Sequence, residues 1–380
     1  PVIEGTRGQV DGKDRAGTCS TAALARQLDA PGVLVLDATK MTRTAAAIVA
    51  GCKHFEPGLK LAGVILNRTA GDRHRGILTQ CIEELAGVPV LGALPKCAEN
   101  PIPERHMGLV SDQEHEGREA ALDSIASTVE RWVDVDRVLA IARAAEAPAP
   151  AGQVPWPAPV AGAEGVTIGY VHDAALWFYY PENLEALEHA GARLVRLSLL
   201  DSAPWPELDG LYLGGGFPET QAEALAANSA VRQRVLQLSR AGLPLYAECG
   251  GFMYLCQALE LEGGNHGLAG VFPLSTRLCA RPQGLGYVEA LVEAENPFHP
   301  LGATITGHEF HYSACTEPSH ATATPPTALK MLRGRGMLAG RDGLLSDQTF
   351  ASYTHIHALG TPHWAPNFVR AALAHRQQRG

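Results

Sequence analysis

The sequence lacks several features that would define a protein's class at once. No run of about 18 apolar residues occurs among its 380 residues, so we expect nothing that spans a membrane. Its 8 cysteines are scattered and form no C-x-x-C pair, which predicts reduced thiols and a cytoplasmic protein. The net charge of −9 argues against general nucleic-acid binding, and the 46% hydrophobic content excludes a disordered chain.

A phosphate-binding loop of the form G-x-x-x-x-G-K-[ST] is missing as well. The nearest segment, Gly12-Lys13-Asp14, lacks both the upstream glycine spacing and the hydroxyl residue. There is no initiator methionine and no signal peptide, and Pro1 already looks like the end of a strand. We therefore expect the sequence to be a fragment or a trimmed product.

The order of apolar runs predicts two α/β domains. Residues 1–145 alternate strand-like and helix-like segments, which is typical of a parallel sheet covered by helices. We predict one further helix from Asp123 to Ala145 at the end of this domain. Residues 146–163 are rich in proline and predict a stiff linker. Residues 164–380 then form the second domain, and we expect each domain to contain a mostly parallel sheet.

Cys249 is the most informative residue. It follows a short apolar strand pattern and precedes two glycines and an apolar helix start. That arrangement predicts a nucleophile elbow with sulfur in place of oxygen, and a helix N-terminus favours the thiolate form of a cysteine. A single cysteine in such a place is more often a structural residue, so this interpretation depends on two further segments.

The first of these segments is residues 211–219, where a strand pattern runs into Gly214, Gly215 and Gly216. Such a loop can present free backbone N–H groups at the carboxyl edge of a sheet, although a plain turn is an equal alternative. The second is residues 351–357, a strand-like run that carries two histidines on one face, His355 and His357. A cysteine nucleophile needs a nearby base, and histidine is the usual one.

In this order, the three segments resemble the class I glutamine amidotransferases. Further segments narrow the resemblance to the cobyrinate a,c-diamide synthases: residues 171–184, the GHEFHYS strand at 307–313 and the strand at 63–68. The resemblance covers essentially the whole chain. It implies a dethiobiotin-synthetase-like, P-loop-type domain at 1–145, followed by a flavodoxin-like glutaminase domain.

The resemblance also implies a role for each residue of the glutaminase site. Cys249 would be the nucleophile and His355 the base. The oxyanion donors would be the backbone N–H groups of Gly215, Gly216 and Gly250. Many relatives carry a glutamate two residues after the histidine to orient its ring, but His357 stands there in this chain. The orienting partner of His355 is therefore not identified from the sequence.

In the first domain, the resemblance points to a nucleotide site. Glu4 and Asp11 match an acidic pattern that serves Mg·ATP and the activated carboxylate, with Glu4 contacting Mg²⁺ through ATP. On spacing alone, a solvated acidic turn would be preferred. The family's P-loop lies ahead of this pattern, so we expect the domain to be truncated at its N-terminus.

Asn67 and Arg68 end a strand at the same predicted sheet edge, and the resemblance implies that they contact the nucleotide base. Lys40 and Arg43 could meet phosphate or substrate carboxylates, but a capping or solvated role is equally compatible with their positions. The two histidines of residues 308–311 are three apart on a strand, so they lack the helical geometry of a zinc-binding H-E-x-x-H motif.

The resemblance implies ATP-dependent, glutamine-hydrolysing amidation of the a and c acetate side chains of cobyrinate, a step of cobalamin biosynthesis. The implied cofactors are ATP and Mg²⁺, and the partners are L-glutamine and a corrinoid or tetrapyrrole polycarboxylate. Hydrogenobyrinate and nickel sirohydrochlorin remain alternative substrates, and a homodimer remains open. A cysteine hydrolase without synthetase activity, or a binding protein with a degenerate ATP domain, are the alternatives of other classes.

Overall fold

A computed structural model describes residues 2–5, 8–97, 101–102, 104–105, 108–109, 117–147, 152, 156–316 and 325–379. The chain divides into two compact units, residues 1–152 and residues 153–380. Each unit has its own hydrophobic core, and each is described by itself.

The N-terminal unit contains a three-stranded parallel sheet in the order β1-β2-β3. Its elements are α1 (Thr21–Gln27), β1 (Gly32–Asp37), α2 (Arg43–Phe55), β2 (Leu61–Thr69), α3 (Asp72–Ala86), β3 (Val90–Pro95), β4 (Glu104–Arg105), β5 (Gly108–Leu109), α4 (Arg118–Trp132) and α5 (Val135–Ala144). Apolar side chains of α2 and α3 pack on β2 to form the core. The predicted alternation of strands and helices in a parallel sheet is confirmed here.

The helical character predicted from Asp123 to Ala145 is present in the structure, but it is divided between two helices. α4 ends at Trp132. Val133 is extended and forms an isolated antiparallel β-bridge with Gly92 of β3. Asp134 then caps α5, since its carboxylate accepts a hydrogen bond from the N–H of Arg137 at 3.0 Å. The bridge and the cap together interrupt a helical pattern that is continuous in the sequence.

The C-terminal unit contains helices α6 to α10 and strands β6 to β21. They are β6 (Thr167–Val171), β7 (Leu176–Phe178), α6 (Pro181–His189), β8 (Arg193–Leu197), β9 (Gly210–Leu213), β10 (Gly215–Gly216), a 3₁₀ helix (Pro218–Gln221), α7 (Ala222–Ala227), α8 (Ser229–Arg240), β11 (Leu245–Glu248), α9 (Gly250–Leu255), β12 (Cys256–Leu261), β13 (Gly264–Gly267), β14 (Phe272–Leu278), β15 (Gly284–Val292), β16 (Thr304–His311), β17 (Ser313–Thr316), β18 (Thr327–Arg333), β19 (Arg341–Ser346), β20 (Thr349–Ser352), β21 (His355–Ile356) and α10 (Trp364–Arg379).

The main sheet of this unit has ten strands in the order β21-β16-β15-β18-β19-β20-β11-β9-β6-β8. The strands from β20 to β8 pair in parallel, and the strands from β21 to β19 extend the sheet in antiparallel pairs. One hydrophobic cluster includes α7, α8 and α9, and another includes α6 and α10. The α/β class is confirmed, and the antiparallel half of the sheet is an addition that the sequence did not show.

Part of the segment predicted as a linker packs against the C-terminal unit. The N–H of Val160 donates to the carbonyl of Ala190 at 3.0 Å, and the Ala163 side chain is fully buried. Trp156 contacts the same core, with its ring 6.4 Å from that of His189. The described end of this segment therefore covers the edge of α6.

Asp342, a buried carboxylate on β19, organises the turn that leads from β20 to β21. Its Oδ1 accepts hydrogen bonds from the N–H groups of Gly343 (2.9 Å) and Tyr353 (3.1 Å). Its Oδ2 accepts from the N–H (3.1 Å) and the hydroxyl (2.8 Å) of Thr354. Burial raises the pKa of Asp342, and these four hydrogen bonds oppose that shift.

We predict that Asp342→Asn lowers the free energy of unfolding by about 2 kcal/mol, because an amide NH₂ cannot accept from the Thr354 N–H. The matched control is Asp347→Asn in the adjoining turn, where φ is 49° and asparagine tolerates that conformation. Urea unfolding measures both variants. Equal stability of the two variants would contradict the structural role assigned to Asp342.

Candidate active site

Cys249 lies at a sharp turn between β11 and α9, at the carboxyl edge of the parallel half of the sheet. Its backbone has φ 46° and ψ −100°, a conformation that costs free energy for a residue with a side chain. Its N–H donates to the carbonyl of Ser352 at 2.8 Å, and only 5% of the residue is exposed. The strand-turn-helix geometry predicted around Cys249 is therefore present in the structure.

Glycine follows Cys249 because another backbone lies against the start of α9. A Cβ atom at Gly250 would lie 2.8 Å from the carbonyl oxygen of Gly216 and 2.9 Å from its nitrogen. Gly250 is the first residue of α9, so its N–H has no acceptor within the helix. That N–H is free to face a ligand beside the cysteine.

The glycine loop after β9 passes beside the cysteine and the histidine. Gly215 and Gly216 form β10, which pairs with β7. A Cβ atom at Gly215 would lie 2.6 Å from Cε1 of His355, so only glycine lets the loop approach this ring. The structure thus brings together the predicted set of Cys249, His355, Gly215, Gly216 and Gly250.

His355 is buried on β21 and is held on two sides. Its Nδ1 donates to Oε2 of Glu248 at 3.0 Å. Burial by itself would lower the pKa of His355, but hydrogen bonds to Cys249 and Glu248, with the charges of both groups, raise it to about 10. The imidazole ring therefore carries a proton on each nitrogen at neutral pH. One N–H donates to Glu248, and Cys249 is the second hydrogen-bond partner of the ring.

Glu248 is the orienting partner that the sequence analysis did not identify. It ends β11 immediately before Cys249, and only 2% of it is exposed. Its second oxygen, Oε1, has no hydrogen-bond partner among the residues that the structure describes. A signal was present in the sequence, because a carboxylate ends an otherwise apolar buried strand directly before Cys249.

His357 lies outside this arrangement. β21 ends at Ile356, and the His357 ring pairs instead with Glu182, with 3.5 Å between Nε2 and Oε2. Both side chains are more than a third exposed. The two histidines that share one face in the sequence pattern therefore occupy different environments.

Aromatic rings close the other side of His355. The Phe178 ring is perpendicular to the imidazole at 5.1 Å, and His308 on β16 stacks on it at 5.0 Å. The Tyr180 hydroxyl lies 3.5 Å from Nδ1 of His308. Burial, and then the charge of His355, lower the pKa of His308 to about 4, so a neutral ring faces the charged one.

His311 of the GHEFHYS strand contacts an aromatic ring and a backbone carbonyl. His311 stacks on Tyr353 with ring centres 3.6 Å apart, and its Nδ1 donates to the carbonyl of Ser313 at 2.8 Å. Across the part of the chain that the structure describes, no three His, Cys, Asp or Glu side chains come together as a metal-binding group.

In the N-terminal unit, Asn67 and Arg68 lie where β2 ends beside the end of β1. Arg68 has φ 59°, its N–H donates to Oδ1 of Asn67 at 2.9 Å, and its guanidinium pairs with Asp37 at 3.2 Å. Asp37, which ends β1 beside Asn67, is a candidate that the sequence analysis did not select.

The two predicted acidic residues lie elsewhere in this unit. Asp11 lines a pocket of about 490 Å³ together with Asp14, Arg15 and Glu56. Glu4 is exposed in a segment without regular secondary structure. Among the described residues, no hydrogen bond or ion pair links Glu4 or Asp11 to Asn67 or Arg68, so the structure does not bring the four together in one contact network.

Known proteins match both units. Residues 167–363 match the CobB/CobQ-like glutamine amidotransferase domain, and residues 3–110 match the CobQ/CobB/MinD/ParA nucleotide binding domain. Among solved structures, one titled glutamine amidotransferase aligns with 54% of this chain and 98% of its own, at 18% identity and a TM-score of 0.40. The family match over residues 167–363 shows that the C-terminal unit is a glutamine amidotransferase domain.

Curated relatives make the assignment more specific. Cobyrinate a,c-diamide synthases from Magnetococcus marinus and Syntrophotalea carbinolica are both 41% identical, over 97% of this chain and 79% and 80% of their own lengths. The Salmonella typhimurium protein of that name is 38% identical over 98% of this chain and 80% of its own. The chain belongs to the cobyrinate a,c-diamide synthase family.

We predict that His355→Ala lowers glutamine hydrolysis roughly 10²-fold, the usual scale for loss of a residue that transfers protons in the reaction. The matched control, His357→Ala, should stay near the parent rate because His357 contacts Glu182 and not the cysteine. Steady-state release of glutamate measures both. A large loss at His357 with little loss at His355 would reverse the assignment.

We predict that Glu248→Gln lowers the pKa of His355, because the variant loses a carboxylate that stabilises the imidazolium. In the parent, the raised pKa contributes stability that is complete below about pH 6.5 and is lost as the pH rises through about 10. NMR titration of the His355 ring measures the shift directly. Glu182→Gln, beside His357, is the control, and an unchanged His355 midpoint in Glu248→Gln would contradict the prediction.

Proposed function

We propose that this protein catalyses the ATP-dependent amidation of the a and c acetate side chains of cobyrinate, with nitrogen taken from glutamine at Cys249. The observation that carries the proposal is the arrangement of Cys249, His355 and Glu248 beside the glycine loop. The named activity of relatives at 38–41% identity over nearly the whole chain supports the substrate.

In the proposed glutaminase reaction, the Cys249 sulfur attacks the carboxamide carbon of glutamine. The tetrahedral oxyanion accepts hydrogen bonds from backbone N–H groups of Gly215 or Gly216 and Gly250. His355 passes a proton to the leaving nitrogen, the C–N bond breaks, and ammonia departs. Water then cleaves the γ-glutamyl thioester and gives up a proton to His355, which releases glutamate and restores the thiolate and the imidazolium.

Glu248 gives His355 its orientation in this scheme. Because Nδ1 donates to the Glu248 carboxylate, the proton available for transfer lies on Nε2. The carboxylate also stabilises the imidazolium that the resting site holds. The Cys–His pair thus has a third member, supplied by the strand that carries the cysteine.

In the synthetase half, we propose that the γ-phosphoryl group of ATP moves to a substrate carboxylate, which ammonia then attacks to give the amide and phosphate. Mg²⁺ commonly binds one or two protein carboxylates together with substrate phosphates. The exposed Glu4 and the pocket-lining Asp11 could supply such carboxylates. The bound Mg²⁺ would neutralise charge during phosphoryl transfer. Asn67 and Arg68, at the end of β2, would contact the nucleotide base.

We propose a cytoplasmic location. All 8 cysteines are free thiols, which suits a reducing compartment. No helix among the described residues has the length and apolar character needed to cross a bilayer.

We predict that Cys249→Ser abolishes glutamine hydrolysis, because a hydroxyl group lacks the reactive thiolate. Whatever ATP-dependent amidation of cobyrinate the parent shows with ammonium should remain in this variant, since ammonium bypasses the cysteine. Cys256→Ser is the matched control: burial raises the pKa of the Cys256 thiol, and this residue takes no part in the scheme.

Glutamate release and mass spectrometry of the corrinoid measure the two activities. Glutamine hydrolysis by Cys249→Ser near the parent rate would overturn the assignment of the nucleophile. Loss of the ammonium-dependent reaction in Cys249→Ser, with normal folding, would contradict the separation of the two half-reactions.

A further inference from the structure

Tyr179 lies at the junction between β7 and α6, and its hydroxyl joins the ends of two neighbouring parallel strands. It accepts a hydrogen bond from the N–H of Gly214 at 2.8 Å. It donates to the carbonyl of Val171, the last residue of β6. A single oxygen atom therefore satisfies two backbone groups at the edge of the sheet where Cys249 lies.

The carbonyl group of Gly214 is bound by the turn that carries Cys249. Its carbonyl accepts a hydrogen bond from the N–H of Gly251, in the first turn of α9, at 2.9 Å. A Cβ atom at Gly214 would lie 2.5 Å from Cζ of Tyr179, so the ring also lies directly against the glycine backbone. Gly214 is thus fixed between Tyr179 and the helix that follows the cysteine.

The next two residues are the proposed oxyanion donors. Gly215 passes within contact distance of the His355 ring, and Gly216 lies against Gly250. A change in the peptide orientation at Gly214 therefore changes the direction of the N–H groups that follow it. Burial raises the pKa of Tyr179 well above its usual range, which keeps its hydroxyl protonated and able to donate.

We propose that Tyr179 is a positioning residue for the reaction at Cys249: its hydroxyl fixes Gly214 and so aims the backbone N–H groups of the glycine loop at the oxyanion. This inference rests on the proposed glutaminase function. It assigns Tyr179 no contact with glutamine and no proton transfer.

Two reactions of Cys249 separate this role from a general structural one. Attack on glutamine creates an oxyanion that the glycine loop must stabilise. Alkylation by iodoacetamide forms a C–S bond and releases iodide at a saturated carbon, so no tetrahedral oxyanion forms. A defect confined to the loop slows only the first reaction, whereas a damaged Cys249–His355 pair slows both.

The experiment compares Tyr179→Phe with the matched control Tyr170→Phe. Tyr170 lies on β6 with its ring 5.8 Å from that of Tyr179, so the control removes a hydroxyl from the same aromatic cluster. We expect Tyr179→Phe to lower kcat for glutamine roughly 10- to 100-fold with KM within about 3-fold, the pattern of a lost transition-state interaction. Alkylation of Cys249, followed by mass spectrometry of its peptide, should stay within about 2-fold of the parent.

Gly214→Ala is a second variant that tests the same loop without removing the hydroxyl. Its methyl group would press against the Tyr179 ring, and we expect the same combination of reduced kcat and retained alkylation. Circular dichroism and thermal unfolding establish that each variant is folded.

Three outcomes would overturn the inference. In the first, Tyr179→Phe turns over glutamine at the rate of Tyr170→Phe. In the second, alkylation of Cys249 in Tyr179→Phe falls in parallel with glutamine turnover. In the third, Tyr179→Phe fails to fold while folded Gly214→Ala keeps the parent kcat. With an active parent, each result removes the role of Tyr179 and leaves the proposed function standing. A parent that does not hydrolyse glutamine would overturn the proposed function, and this inference with it.

Discussion

The site depends on one strained backbone conformation, the turn at Cys249. With φ at 46°, this residue is held in a region that side chains disfavour, so the surrounding structure must supply the compensating free energy. Hydrogen bonds fix the turn on both sides: the Cys249 N–H donates to Ser352 on the neighbouring parallel strand, and the Gly251 N–H donates to Gly214. The close approach of backbone at Gly250 follows from the same turn. Strain at Cys249 and the glycines around it therefore have one common cause.

Three buried carboxylates stabilise the segments around this turn. Glu248 holds the ring of His355, and Asp342 fixes the backbone of the two residues that precede that histidine. Asp173 acts similarly near β7, since its carboxylate accepts from the N–H groups of Ala175, Leu176 and Leu199. Each carboxylate is costly to bury: several donors balance the burial of Asp342 and Asp173, and the His355 ring balances that of Glu248. Their common effect is to hold loops, and not only strands, in fixed positions around the cysteine.

Much of this arrangement could be predicted from the sequence, because glycines and a cysteine at strand ends have few alternative explanations once they occur together. The choice of His355 over His357 rested on the family resemblance and not on the strand pattern, since residues two apart share one face of any strand. The structure separates them because β21 ends at Ile356. Glu248 was missed because a single carboxylate at a strand end does not reveal its partner, which is 107 positions away. The antiparallel strands and the break between α4 and α5 arise from long-range pairing that local patterns do not encode.

The proposed reaction requires that Cys249 carry a γ-glutamyl thioester during turnover. Rapid acid quench of the protein mixed with glutamine, followed by peptide mass spectrometry, tests this claim directly. We expect one glutamyl group on the peptide that contains Cys249, and a stronger signal in a variant that slows hydrolysis of the thioester. Steady glutamine turnover with Cys249 unmodified, or a glutamyl group on another cysteine, would contradict it.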